Sequence, residues 1–319
     1  MTKPFASSAD LAPKKETLEV VADGVYALTA EGDPNVGAIE GEDFLVCIEA
    51  RATPAAARDW LAQLREHTSK PIRYLVLTHY HAVRVLGASA FGAEEIIASE
   101  TTKQLIEERG KEDWDSEYGR MPRLFKQPEE IPGLTWPTRT FAGETTIPLG
   151  GDRGELLLKF CGRGHTAGDI AVWHDQSKTL FAGDLVEAQA ALYTGDAFHM
   201  DWAADTLDQV KAFRAQNLIG GRGAVARSVE ACDAAIEQTR GFLNGMIAQV
   251  GGVHRRGGTL KEAFLATHAA LAPQFGHWPI FEHCLPFNVQ RLWDEFDGID
   301  WPRIWTMERD REVWAQLQD

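Results

Sequence analysis

His79-Tyr80-His81 sets two imidazoles at positions i and i+2, and on an extended backbone that spacing puts both on the same side of the chain. A third imidazole, His165, sits in the glycine-rich run Gly162-Arg163-Gly164-His165-Thr166, and a carboxylate, Asp184, follows Gly183. Three neutral imidazole nitrogens and a carboxylate form a ligand set for a borderline metal such as zinc. A lone His-x-His is ordinary surface or core chemistry, so the combination is what points to a metal. A zinc ion on three histidines lowers the pKa of a bound water towards about 7 and supplies hydroxide at neutral pH. Asp184 would orient that water or take its proton, and the nucleophile would attack an ester, lactone, thioester or amide carbonyl.

These side chains need strands to present them. Val25–Leu28, Val36–Ile39 and Phe44–Ile48 read as strands separated by turn residues. A helix is predicted from Pro54 to Thr68 with Thr53 as its N-cap, and it feeds the apolar run Ile72–Leu77 that ends in Thr78-His79. Alternating runs at Glu155–Cys161 and Ile170–His174, then Thr179–Ala182, lead to the other two positions. Helical patterns follow over Ala203–Gln216, 228–250 and 259–271, and Trp278, Trp293, Trp301, Trp305 and Trp314 crowd the end of the chain. The organisation read from this is an arm over residues 1–18, a domain over 19–227 and a helical region over 228–319 packed on the same domain. Within it, 110–140 reads as an irregular insertion near the site. The tryptophan-rich tail would cap the pocket, form a homodimer or cover the sheet.

In the order of its elements and in Thr78-His79-Tyr80-His81, Gly164-His165-Thr166-Ala167-Gly168-Asp169 and Phe181-Ala182-Gly183-Asp184, the chain resembles the metallo-β-lactamase-fold hydrolases. The resemblance runs over roughly residues 20–225 and implies an α/β fold, a four-layer αβ/βα sandwich with one or two metals at the sheet edges. It matches His79, His81 and His165 to the first-metal ligands and Asp184 to the carboxylate that touches or bridges the metals. The family's T-H-x-H-x-D-H turn ends here in Val83-Arg84, and its G-H-G turn is Gly221-Arg222-Gly223. Valine and guanidinium cannot ligate a cation. The expectation is therefore a single zinc ion and an empty second site.

Arg84 and Arg222 then either replace the second cation, pairing with Asp184 or clamping an anionic substrate, or form structural salt bridges. Asp169 is expected to brace its loop or a ligand histidine. His283, in Phe281-Glu282-His283-Cys284, belongs either to a packed turn or to a segment folding back to the site, and His199 invites the same question. Tyr193 and Trp202 are pocket walls or core. Two other functions fit the same residues: a mononuclear iron dioxygenase acting on a thiol or persulfide, and a non-catalytic protein that keeps the old site to hold an anion.

Composition bounds the partners. The chain has 319 residues, 44% apolar and 25% charged, with a net charge of −15, which argues against nucleic acid or an anionic membrane. No stretch is apolar enough to be a signal sequence or a span, so the protein reads as cytoplasmic. Its four scattered cysteines read as buried free thiols. A metal and two arginines would make the site locally positive inside this acidic chain, suited to a small anionic substrate.

Overall fold

The computed structural model describes residues 4–318. Four antiparallel strands open the chain: β1 (Glu16–Ala22), β2 (Val25–Ala30), β3 (Val36–Glu40) and β4 (Leu45–Ile48). α1 (Pro54–Leu64) starts where the Thr53 hydroxyl accepts from Ala56 N at 3.1 Å and delivers the chain to β5 (Ile72–Val76). α2 (Ala82–Val85), β6 (Glu95–Ser99), α3 (Glu100–Arg120) and β7 (Arg139–Phe141) follow. Then come β8 (Glu144–Pro148), β9 (Glu155–Phe160), β10 (Ile170–His174), β11 (Thr179–Gly183), α4 (His199–Asp201), α5 (Leu207–Lys211), β12 (Asn217–Gly220) and β13 (Ala226–Arg227). The chain closes with α6 (Val229–Arg255), α7 (Leu260–Phe275), α8 (Phe281–Phe296) and α9 (Met307–Gln318).

The strands form a seven-stranded sheet in the order β1 to β7 and a six-stranded sheet in the order β13-β12-β11-β10-β9-β8. Strand alternation explains how they stack. In β2, Val25 and Ala27 enter the core between the sheets, whereas Tyr26 and Leu28 enter the core beneath α1 with Trp60 and Leu64. In β11, Phe181 faces the other sheet while Leu180 and Ala182 join Phe242, Phe287 and Trp314 of the late helices. Each sheet is thus buried on both faces, and the layers run helices, sheet, sheet, helices. The predicted α/β sandwich is the fold observed. Among the described residues no helix is long and apolar enough to cross a membrane, and all four cysteines are buried and free.

Two sequence-level boundaries need correction. The arm is shorter than 18 residues, because β1 begins at Glu16 and pairs with β2 from Glu16 opposite Ala30. Its half-exposed, polar-studded edge hid the strand. The stretch read as irregular from Gly110 starts inside α3, which is continuous to Arg120. Periodicity missed this half of the helix because its buried face is polar: Arg109, Asp113, Ser116, Glu117 and Arg120 follow Leu105 and Ile106 into the interior. Only beyond Arg120 does the chain break into short turns before β7.

Candidate metal centre

The centre sits where strands end. After β5, Thr78 N donates to Glu49 Oε1 at 2.8 Å, and the Thr78 hydroxyl lies 2.9 Å from His79 Nδ1. The turn carrying His81 is then tied to α3: Ala82 N donates to Asp113 Oδ2 at 2.7 Å and Val83 N to Glu117 Oε2 at 2.8 Å. His165 stands on the loop between β9 and β10. Asp169 braces that loop as expected, accepting from Thr166 N at 2.5 Å and lying 3.4 Å from His165 Nδ1. A wide π-helical turn over Trp202–Thr206 brings the Trp202 ring to 6.0 Å from that of His165.

One ring nitrogen from each of His79, His81 and His165 falls within 4.8 Å of the other two. All three rings are buried, meeting edge to face at centroid separations of 5.0, 4.7 and 4.7 Å. Nε2 of His79 and Nε2 of His165 have no hydrogen-bond partner. Buried polar atoms left this way are costly unless something else satisfies them, and a shared cation is what satisfies nitrogens converging on one point. His81 Nε2 lies 3.2 Å from Asp196 Oδ2, whose other oxygen accepts from Arg109 Nη1 at 3.2 Å. That leaves His81 its Nδ1 as ligand and fixes the ring from behind. Burial pushes His79 well below the usual imidazole pKa, keeping it neutral. His165 is raised: burial opposes this, but Asp169 and Asp184 together outweigh it.

Asp184 stands beside the triad, its Oδ2 at 3.7 Å from Nε2 of both His79 and His165. Two guanidiniums converge on it. Arg84 Nη2 pairs with Oδ1, and Arg222 Nη1 lies 3.3 Å from Oδ2 and 2.6 Å from Glu187 Oε1. Burial would raise the Asp184 pKa, but Arg84, His79 and Arg222 hold it well below the carboxylate range. Arg84 also donates to Asn35 O at 3.0 Å and Gly221 O at 2.8 Å, so both its terminal nitrogens are engaged. The backbone must pass very close here: a Cβ on Gly221 would collide with Asp184 Oδ1 and lie 2.7 Å from Arg84 Nη2. The arginines are thus matched by carboxylates. Of the roles open to Arg84 and Arg222, pairing with Asp184 is the one seen, and Arg84 has no free fork for a substrate.

His199 offers no ring nitrogen to a metal. Its Nδ1 lies 2.6 Å from Glu295 Oε2 and its Nε2 2.8 Å from Thr194 Oγ1, so both nitrogens are occupied. His283 does fold back: on α8, with Nδ1 2.8 Å from Ser7 Oγ, it shares a small cavity with Val83, Tyr193 and Arg222. It stands outside the histidine cluster. Sequence reasoning missed Glu49, Asp113, Glu117, Glu187 and Asp196, the acids that hold the turns and arginines. Asp113 and Glu117 carried a signal in their helical spacing, i and i+4, behind Arg109. The other three had none.

A family model described as the metallo-beta-lactamase superfamily matches residues 29–221. The chain belongs to this superfamily. Its curated relatives include the 2,4-dinitroanisole O-demethylase subunit alpha of Nocardioides sp. (strain JS1661), 26% identical over 191 residues, 58% of this chain and 48% of that one. A metallo-beta-lactamase type 2 from Bacillus sp. (strain 170) is 24% identical over 180 residues, 55% of this chain and 60% of that one. The chain thus spans about half to three fifths of the length of these curated relatives. The metallo-beta-lactamase from Pontibacter korlensis superposes with a TM-score of 0.55 at 20% identity, covering 70% of this chain and 99% of that one. TMB-1 gives the same TM-score of 0.55 at 16% identity, over 73% of this chain and 98% of its own. Both solved structures bear on the superfamily fold alone.

Proposed function

We propose that this member of the metallo-beta-lactamase superfamily is a hydrolase working at a single metal centre, with zinc as the ion that suits three imidazoles. His79, His81 and His165 would hold the ion. The observation that carries this reading is the pair of partnerless imidazole nitrogens, His79 Nε2 and His165 Nε2, converging with His81 in the buried interior. When bound, such an ion supplies Lewis acidity and an activated water at neutral pH. Asp184 offers Oδ2 as a hydrogen-bond acceptor that orients the attacking water. Because its charge is held by Arg84 and Arg222, it is a weak base, and orientation is its role. In this reading the two arginines take the electrostatic place of a second cation, so the protein binds one metal per chain.

The substrate class is a small molecule with an ester, lactone, thioester or amide carbonyl and an anionic group. The likeness to a demethylase subunit adds an aryl methyl ether to the compounds worth testing. The experiment compares wild type, His79→Ala and His165→Ala, purified without added metal, for metal content and turnover across that panel. Zinc in the wild type, with metal and turnover lost together in both variants, is the expected result. An iron-dominated preparation that consumes oxygen with a thiol overturns the reading, and so does anion binding without turnover.

A further inference from the structure

A cavity of about 20 Å³ adjoins the metal centre, and its walls include Val83, Glu117, Arg120, Tyr193, Arg222 and His283. Two of these walls are shared with the centre: Arg222 reaches Asp184, and the Tyr193 ring lies 5.7 Å from that of His81. The donors around it lack acceptors. Nε and Nη1 of Arg120, Nε of Arg222 and the Tyr193 hydroxyl are buried with no hydrogen-bond partner, on residues 2%, 5% and 6% exposed respectively. Arg120 is held by its faces, its guanidinium carbon 4.4 Å from the Tyr193 ring centroid and 5.0 Å from that of Phe287. Asp310 Oδ2 stands 3.7 Å from Arg120 Nε, beyond hydrogen-bond reach. A guanidinium gripped by stacking keeps its in-plane N–H groups for a planar two-oxygen acceptor. Glu117, the carboxylate in the lining, already accepts from Val83 N.

We propose that this cavity is a subsite for a carboxylate group of the substrate, received by Arg120 with Tyr193 and Arg222. The assignment rests on the hydrolase reading above and narrows its substrate to a carbonyl compound that carries a carboxylate. The free volume holds about one water, so the group enters as the apolar walls, Met121 and Leu124, give way.

Formate, the smallest carboxylate, and formamide, its neutral counterpart, are titrated into metal-loaded wild type, Arg120→Lys and Tyr193→Phe and into His79→Ala, which lacks the metal, following the line width of carbon-13-labelled ligand. Saturable formate binding without formamide binding is expected. Arg120→Lys and Tyr193→Phe each weaken it about tenfold, and His79→Ala leaves it intact. Absence of formate binding to the wild type overturns the proposal, as does affinity unchanged in both cavity variants. Loss in His79→Ala alone means that formate sat on the metal, which overturns the subsite and leaves the metal reading standing. Formate binding that depends on Arg120 in a protein that takes up no metal does the reverse. Should circular dichroism show Arg120→Lys unfolded, the hydroxyl deletion at Tyr193 decides.

Discussion

At the scale of single residues, Asp184 is the point on which the centre turns. Arg84 and Arg222 are buried cations whose burial is compensated through it, so Asp184→Asn should cost about 3–5 kcal/mol, as breaking a buried pair does. Urea denaturation of the metal-free protein measures it. Glu49 gives the pH dependence. Burial pushes its pKa from 4.5 up to about 7, against Arg84 and the Thr78 N–H bond that favour the ionised form. Between those values the folded chain keeps a proton that the unfolded chain has lost, so this residue makes stability fall as pH rises from about 4.5 through about 7. Glu49→Gln, which keeps an acceptor for Thr78 N, should flatten that slope in denaturation curves taken across the window. Asp196 acts through His81: burial raises its pKa, but the bond and charge of His81, with Arg109, bring it down to about 2. Asp196→Ala should weaken metal binding about 10–100-fold with every ligand in place, as read by competition with a chelating dye.

Among the elements, α3 carries most of what sequence reading left hidden. The histidines and Asp184 were legible because loop chemistry at strand ends follows short motifs, and β5 announces itself by an apolar run and β9 and β11 by apolar alternation. The half of α3 after Gly110 was not, since its buried positions are charged residues that apolar periodicity reads as solvent-facing. Those residues are buried because their partners are not in the sequence neighbourhood: Asp113 and Glu117 answer the N–H groups of Ala82 and Val83, some 30 positions away. Asp113→Ala leaves a buried N–H without an acceptor and should cost about 1–3 kcal/mol. Lys111→Ala, on the exposed face of the same helix and paired with Asp115, should change stability by less than about 1 kcal/mol. Paired denaturation curves separate a polar scaffold for the histidine turn from a generic helix effect. His283 and the fates of Arg84 and Arg222 were undecidable beforehand for the same reason: each depends on what another element brings opposite it.

For the whole molecule, the late helices are part of the sandwich. Phe242, Phe287, Leu292 and Trp314 share one core with Ala171, Leu180 and Leu218 of the second sheet, so a chain ending before residue 229 would bare that sheet to water. Such a truncation should fail to give a soluble, cooperatively unfolding protein, which size-exclusion chromatography and thermal melting would show. The acidic excess of the chain is not confined to its surface: Asp184 and Glu187 pair with the buried arginines, and Asp113, Asp169 and Asp196 are buried as well. Two guanidiniums converge on Asp184, and the proposed function has them stand in the place of a second metal. Metal counting by mass spectrometry on zinc-saturated, dialysed protein tests that reading most directly. The account predicts one zinc per chain in the wild type and essentially none in His79→Ala; two per chain, or one that survives His79→Ala, would contradict it.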